Sequence, residues 1–222
     1  KGFLYLNITG RNDWFSTLSP ESNNYFYPSV GGSFVFSEVF NLPKLIDFGK
    51  VRMTYASVGG DTDPYGLSLT YGFRGNPYNG IALGEITQEV VPNENIKPLS
   101  VNEFEAGFDM RMFGNRLGVD MAFYNKISNN DITQESISST SGYLGTWVNV
   151  GKVRNRGFEM LLSGTPVEGR NFSWTTSLNG SYNKSMVLKI SNSSNELAFD
   201  TPGKSTIKQI EGMEYAQIVG LA

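Results

Sequence analysis

The strongest constraint on the fold is a strict alternation of apolar and polar residues between Val101 and Lys126. In its first half the even positions are apolar and the odd positions are mostly charged: Phe104, Ala106, Phe108, Met110 and Met112 against Glu103, Glu105, Asp109 and Arg111. Successive side chains of a β-strand point to opposite faces, so this pattern predicts a strand with one apolar and one charged face. The alternation resumes after Gly114 and Asn115. Because these residues adopt positive φ readily, they predict a two-residue hairpin turn.

The composition excludes several classes of function. The chain has 222 residues, enough for one sizeable β domain, and its net charge of −3 comes without a basic stripe, which argues against a nucleic-acid partner. It has no cysteine and no histidine, which removes disulfides, thiolate metal sites and a Ser-His-Asp triad. No apolar run approaches the roughly 18 residues of a membrane helix. We therefore expect no catalytic residue, no cofactor and no resident metal.

Alternation recurs along the chain and predicts an all-β protein. The predicted strands are 3–12, 27–38, 48–58, 102–112, the resumed half of the hairpin from 116, 154–166, 171–184 and a weak one from 214 to the end. A shorter alternating piece at 67–73 is expected inside a loop. Most of these segments reach ten residues or more, whereas strands of soluble proteins have about five or six. Crossing a bilayer at a tilt takes about 9–11 residues.

The predicted connections alternate between long and short. The long ones are 12–26, 59–100, 127–153 and 185–213, and the shorter ones are 39–47, 114–115 and 167–170. Such asymmetry is typical of bacterial outer-membrane barrels, which have short periplasmic turns and long extracellular loops. The sequence therefore favours an antiparallel transmembrane β-barrel with apolar side chains toward lipid and charged side chains toward the lumen.

The register of such a strand would be tightly specified. Shifting the segment 102–112 by one residue would turn four charged side chains toward lipid together, at about 2–4 kcal/mol for a charge at the midplane. A soluble antiparallel sheet also alternates, however, with its apolar face in a core. A soluble β-sandwich acting as a carbohydrate-binding or adhesin module therefore remains the alternative.

Six stretches of the sequence, in order along the chain, carry a family resemblance. They are YLNITGRNDW at 5–14, YFYPSVGGSFVFSEVF at 25–40, KVRMTYASVGG at 50–60, NEFEAGFDMRMFGNRLGVDMAFYN at 102–125, NVGKVRNRGFE at 149–159, and the strand 172–184. Together they resemble the SusC-like (RagA-like) TonB-dependent transporters of Bacteroidetes outer membranes. Thr54 and Ala56 depart from the Ser and Gly that the family usually has in the third stretch.

The resemblance implies the architecture and role of a larger protein. It implies a barrel of about 22 strands plugged by an N-terminal domain, in the outer membrane of a Gram-negative cell. Residues 1–222 would be a fragment of that barrel, without the plug domain, the TonB box or the final strand. The whole protein would import oligosaccharides, other glycans or peptides and would not be an enzyme. TonB would supply the energy through a segment absent from this chain, and a SusD-like surface lipoprotein would cap the mouth.

Two groups of residues are candidates for function in that setting. The residues predicted to face the lumen are Glu103, Glu105, Asp109, Arg111, Asp120 and Glu159. The aromatic residues predicted to lie in long loops and to contact cargo or the lipoprotein are Trp14, Tyr25, Tyr78, Tyr143 and Trp147. A third hypothesis, an enzyme on a jelly-roll, would use Glu103 and Glu105 as a glycosidase pair.

Two further motifs leave their interpretation open. Asp61 and Asp63 begin like a calcium loop, but Tyr65 takes the third ligand position and Gly72 the place of the bidentate glutamate. Calcium binding by that loop stays an open question. Arg154 and Arg156 are predicted either to contact an anionic ligand such as a lipopolysaccharide phosphate or to form a polar strand end at the membrane surface.

Overall fold

A computed structural model describes residues 2–61, 67–190, 195–200 and 205–220. Its strands are β1 (Leu4–Trp14), β2 (Asn24–Phe34), β3 (Ile46–Gly60), β4 (Tyr71–Phe73), β5 (Gly84–Ile86), β6 (Val90–Val91), β7 (Leu99–Met112), β8 (Leu117–Ser136), β9 (Gly145–Glu168), β10 (Ser173–Lys189), β11 (Glu196–Asp200), β12 (Ser205–Ile210) and β13 (Gln217–Gly220). Two short 3-10 turns lie at Phe36–Glu38 and Ser139–Ser141. The described part of the chain contains no helix of the length and apolar character needed to cross a membrane.

One large sheet dominates the fold. Its strand order is β1-β2-β3-β7-β8-β9-β10, every neighbouring pair is antiparallel, and the short β6 adds a parallel pair with the start of β9. β11, β12 and β13 form a separate three-stranded sheet, and β4 and β5 form a hairpin. The large sheet is open at β1 and β10 within the described residues. The prediction of an all-β antiparallel fold is confirmed.

Successive connections of the large sheet lie alternately at its two ends, and the longest one, between β3 and β7, lies at one of them. One end carries 15–23, the described residues between β3 and β7, 137–144 and the described residues after β10, and we call it the long-connection end; the other end carries 35–45, 113–116 and 169–172. The asymmetry is weaker than predicted, since 35–45 is longer than 15–23 and 137–144. The predicted long loop 127–153 is wrong, because β8 and β9 continue through it as a paired ribbon from Asn129 opposite Lys152 to Ser136 opposite Gly145. β-branched residues such as Ile132, Thr146 and Val148 suit a pleated ribbon better than a loop.

The predicted two-residue turn at Gly114 and Asn115 is also wrong in detail. The last opposed pair is Met112 with Leu117, so the loop spans 113–116, and Phe113, Gly114 and Asn115 all have positive φ. Positive φ is unusual for an aromatic residue. Hydrogen bonds to the start of β3 and to the residue before it hold the turn, since the Phe113 N–H donates to the Leu45 carbonyl at 2.9 Å and the Asn115 N–H donates to Asp47 Oδ2 at 2.9 Å.

One face of the large sheet is a continuous apolar band. Its middle row consists of directly opposed residues on all seven strands: Leu4, Phe34, Val51, Phe108, Met121, Met160 and Gly180. Large apolar side chains in the band stay exposed, including Leu6 at 70% and Leu178 at 64%. In the ranges that the structure describes, no second sheet packs on this face, so the soluble sandwich is not the architecture found.

Three smaller predictions need correction. The strand predicted over 27–38 ends at Phe34 and gives way to the 3-10 turn Phe36–Glu38. The weak strand from 214 is only β13, and it lies outside the large sheet. Only the end of the alternating piece at 67–73 is a strand, β4 at Tyr71–Phe73. Its partner β5 was missed although Asn79 and Gly80, both at positive φ, make the turn between them.

Candidate functional site

The polar face of the large sheet holds all six residues that were predicted as lumen-facing. Opposed residues of an antiparallel pair share a face. In the strand register, Asp109 opposes Asp120, and Gly107, Ala122 and Glu159 form the next row. Glu103, Glu105 and Arg111 alternate with the apolar residues of β7 and therefore lie on the same side. The structure thus brings Glu103, Glu105, Asp109, Arg111, Asp120 and Glu159 to one surface, opposite the apolar band.

Arg52 of β3 organises the charges on this face, and the sequence analysis did not single it out. Its Nε lies 3.4 Å from Glu105 Oε1 and its Nη2 lies 3.1 Å from Asp120 Oδ1. Lys50 Nζ lies 3.4 Å from Asp109 Oδ2. Like charges directly opposite each other destabilise a sheet, so these two cations offset the repulsion between Asp109 and Asp120. The groups are partly exposed, and each pair therefore contributes modestly.

A shallow concavity of about 610 Å³ lies beside this network. Arg52, Asp120, Glu159, Leu161, Asn179 and Ser181 are among its lining residues. Leu161 is the apolar residue of this group and is 45% exposed. The lining offers hydrogen-bond donors, acceptors and one apolar patch, which suits a hydrated polar solute or a protein surface.

The carboxylates of Glu103 and Glu105 do not form an isolated pair. Glu105 is engaged by Arg52, and Arg52 lies flat across Gly107, where any Cβ would meet its guanidinium. Arg111, which opposes Phe48 in the register, sits over the Phe48 ring with 5.5 Å between its Cζ and the ring centroid. These contacts give the polar face a structural explanation that needs no acid–base chemistry.

The stretch 149–159, which carries the family resemblance, has a role in holding strands and loops together. The Asn149 side chain accepts a hydrogen bond from the Lys97 N–H at 2.8 Å and donates one to the Lys97 carbonyl at 2.8 Å. It thereby fastens the segment before β7 to β9. Gly151 has φ +64°, and a Cβ there would collide with the carbonyl oxygen of Lys189.

The second glycine of that stretch, Gly157, is required by the close approach of its neighbours. It lies directly opposite Tyr124, whose ring and hydroxyl cover the glycine so closely that a Cβ would collide with them. The same Cβ would lie 2.6 Å from the backbone oxygen of Tyr182 on β10. Glycine is therefore required because a tyrosine from one neighbouring strand and the backbone of the other approach it. Asn155 nearby accepts a hydrogen bond from the Ser185 hydroxyl.

The five predicted loop aromatics lie at the long-connection end but are not all in loops. Trp14 ends β1, Tyr25 lies in β2 and Trp147 lies in β9, so their assignment to loops is wrong because those strands run further than the alternation alone indicated. Tyr78, at the β4–β5 turn, and Tyr143, after the second 3-10 turn, do lie in connections.

These aromatics do not form one cluster. Tyr25 is half-buried, with its ring centroid 5.0 Å from that of Tyr27. Trp14 and Tyr78 are each 68% exposed. Any contact of these aromatic residues with cargo would therefore be made at separate points of the long-connection end.

The calcium question concerns Asp61 and Asp63. Asp61 Oδ2 accepts a hydrogen bond from the Thr17 hydroxyl at 2.7 Å, and Asp63 lies outside the described residues. Among the residues that the structure describes, no group of three or more His, Cys, Asp or Glu side chains is arranged to hold a metal ion.

Comparison with known proteins identifies a matching family and related sequences. Residues 3–211 match the family model described as TonB dependent receptor-like, beta-barrel. TonB-dependent receptor P26 of Formosa agariphila is 28% identical over 188 residues, which are 83% of this chain and 19% of that protein. TonB-dependent receptor P39 of the same organism is 30% identical over 167 residues, which are 71% of this chain and 15% of that protein.

Solved structures show the same fold. The RagAB peptide importer in its closed-closed state matches with a TM-score of 0.85 at 21% identity, over 96% of this chain and 23% of that one. The siderophore receptor PirA from Pseudomonas aeruginosa matches with a TM-score of 0.51 at 16% identity, over 94% of this chain and 33% of that one. The chain spans between 15% and 22% of the length of the curated relatives it matches.

Proposed function

Because the chain belongs to the TonB-dependent receptor-like β-barrel family, we propose that it forms part of the wall of an importer. Residues 1–222 would be a section of one barrel of about 22 strands, crossing the outer membrane of a Gram-negative cell many times. The family is one of outer-membrane barrels and of transporters. In this proposal the whole protein imports glycans or peptides with energy from TonB.

The observation that carries the proposal is the two-faced sheet. On β7 the apolar band runs from Phe104 to Met112, a distance of about 27 Å along the strand at roughly 3.4 Å per residue, whereas on β9 it ends at Phe158, one row short of Phe104. With strands tilted by about 35–45°, this corresponds to about 20 Å of membrane thickness, close to the apolar band of about 25 Å on outer-membrane barrels. The side chains of the band would contact acyl chains.

The polar face would border the lumen. Its six predicted residues, Glu103, Glu105, Asp109, Arg111, Asp120 and Glu159, would line an aqueous path or contact a plug domain contributed by another part of the protein. In the described residues no further strand of the large sheet pairs with the outer edge of β1, or with that of β10 apart from the contacts of 185–187 with 212–215, and open edges are not tolerated in hydrocarbon. The section would therefore need the remaining strands of the barrel to function.

The long-connection end would face the cell exterior. Trp14, Tyr25, Tyr78, Tyr143 and Trp147 lie at that end, where they would contact cargo or a SusD-like lipoprotein that caps the mouth. The likeness to a RagAB peptide importer supports a two-component system with a surface partner. The same likeness favours peptides as cargo, whereas the resemblance to SusC-like transporters favours glycans.

The proposal assigns no enzymatic step to the chain. Glu103 and Glu105 serve as polar lining, and the engagement of Glu105 by Arg52 supports that role. Glu103→Gln in the full-length protein should leave any glycan supplied to the cells chemically intact outside them, as in the wild type. Glycan hydrolysis that depends on Glu103 would instead support the enzyme hypothesis.

Uptake by cells that carry the full-length receptor tests the proposal. Cells should accumulate at least one labelled glycan or peptide pool, and deletion of either the receptor gene or TonB should abolish that accumulation. The control is a generic porin substrate, whose entry should not change. Recovery of the receptor in a soluble fraction, or accumulation that does not require TonB, would contradict the proposal.

A further inference from the structure

A group of cations on β9 and β10 lies just beyond the point where the apolar band ends on those two strands, in the row that holds Phe104 on β7. Asn125, Arg156 and Lys184 are directly opposed across β8, β9 and β10, in the row after Phe123, Phe158 and Tyr182. The next row adds Arg154, opposed by Ile127 and Met186. We call Arg154, Arg156 and Lys184 the outer cationic patch. It shares the face of the apolar band, at the end of the long connections.

The patch has more positive charge than its own surroundings neutralise. Arg156 and Lys184 are directly opposed like charges, an arrangement that destabilises a sheet unless an anion compensates. Within the described ranges, the only ion pair made by any of the three is that of Lys184 Nζ with Glu214 Oε1 at 2.9 Å. Arg154 makes a weak contact of 3.6 Å with the Met186 sulfur, and Arg156 is exposed.

The position of the patch along the strands indicates which chemical group it would bind. Residues two apart on one strand face are about 7 Å apart along the strand, so Arg156 lies one row beyond Phe158, the last aromatic residue of the band on β9, and Arg154 lies two rows beyond it. If the band contacts acyl chains, this is the level of lipid headgroups. Arginine binds phosphate oxygens in a bidentate geometry, and two arginines beside a lysine suit a phosphorylated headgroup.

We propose that the outer cationic patch binds the phosphate of an outer-leaflet glycolipid. The inference rests on the proposed membrane placement of the sheet, and it goes beyond that placement by naming the lipid chemistry that this section of the wall recognises. The bound phosphate would offset the repulsion between Arg156 and Lys184. It would also anchor the ribbon of β8 and β9 where it leaves the membrane.

The test removes positive charge from the face that bears the patch and, as a control, from the polar face at the same position along the strands. The full-length receptor is purified from outer membranes in mild detergent, and the phosphorylated glycolipid that remains bound is measured by native mass spectrometry. Arg154→Gln with Arg156→Gln should reduce the bound amount about tenfold or more, because two charge-assisted contacts are lost. Arg156→Gln alone should give an intermediate loss.

Lys126→Gln is the matched control. Lys126 opposes Asn155 and Glu103 in the row beside Arg156, so it lies at the same height but on the polar face. It should leave the bound glycolipid unchanged. Vesicles with dephosphorylated glycolipid should lose binding to the wild type, and inorganic phosphate at equal concentration should not displace the phosphorylated form.

Several outcomes would overturn the inference. Equal glycolipid retention by the wild type and the double variant would do so, as would an equal loss in Lys126→Gln, or displacement by inorganic phosphate at equal concentration. The single variant serves if the double variant fails to fold, as judged by heat-modifiable migration. If the receptor reaches the outer membrane and imports cargo, but the double variant retains as much glycolipid as the wild type, the inference about the patch is refuted and the proposed function is not. A receptor absent from the outer membrane would refute the proposed function instead.

Discussion

Met160→Arg in the full-length receptor should strongly reduce the amount of folded barrel in the outer membrane. Met160 lies in the middle row of the apolar band, where an arginine facing lipid costs about 2–4 kcal/mol. The measurement is the fraction of receptor that shows heat-modifiable migration, followed by urea unfolding of the folded fraction in vesicles.

Leu161→Arg provides the matched control for this substitution. Leu161 is the next residue on the same strand and is also apolar, but it lies on the polar face, opposite Asp120 and Asn179. An arginine there would gain a carboxylate neighbour, so we expect near-normal assembly. A soluble protein with its core on the apolar face would also lose stability with Met160→Arg, but its folded form would appear without membrane. Equal loss in the two variants would contradict the assignment of faces.

Gly157→Ala should destabilise the folded barrel by about 1–3 kcal/mol, the usual cost of inserting a methyl group into a site without room. The new Cβ would collide with the Tyr124 side chain and would lie 2.6 Å from the Tyr182 backbone oxygen. The backbone contact cannot be relieved by a rotamer change. The free energy of unfolding in urea, measured on vesicle-inserted receptor, checks the prediction.

Gly180→Ala is the control for that experiment. Gly180 lies on the adjacent strand β10, and nothing lies within 4 Å of the position that its Cβ would take. Alanine there should be neutral or slightly stabilising, since glycine weakens a strand. Combining Gly157→Ala with Tyr124→Ala should recover only part of the loss, because the Tyr182 backbone remains. Equal stability of Gly157→Ala and the wild type would show that β9 has room to move.

The sequence was informative wherever a property is local to one strand. The alternation around Phe104 and Glu105 was enough to assign each side chain to a face, because a period of two follows from strand geometry alone. The alternation alone fits a sandwich as well as a barrel; strand length and the pattern of connections favoured the barrel, and the family resemblance then supported it. The all-β fold, and the sheet face on which the six polar residues lie, could therefore be predicted from the sequence.

Contacts that depend on pairing between segments distant in sequence could not be predicted from the sequence. Arg52 contacts Glu105 and Asp120 only because β3 pairs with β7 across the long segment 61–98, and no local pattern gives that register. The extension of β8 and β9 was missed because Asn129, Asn130 and Asp131 look like a loop. Cross-strand pairing compensates for their poor β-propensity.

Turns were the other weak point. Asn79 and Gly80 carry a strong hairpin signal that was overlooked inside a glycine-rich region. Phe113 at positive φ could not be anticipated, because the hydrogen bond from its N–H goes to Leu45 in a different connection. Both cases show that turn geometry is set by neighbouring segments as much as by the turn residues.

Site-directed spin labels on the full-length receptor in outer-membrane vesicles test the central claim most directly. Labels at positions 104, 108 and 160 should be highly accessible to membrane-dissolved oxygen and poorly accessible to a water-soluble nickel complex. Labels at 103, 109 and 159 should show the lower oxygen accessibility of a polar, protein-lined environment. If the labels at 104, 108 and 160 were shielded from oxygen and buried within a water-soluble core, the sheet would not be a membrane wall.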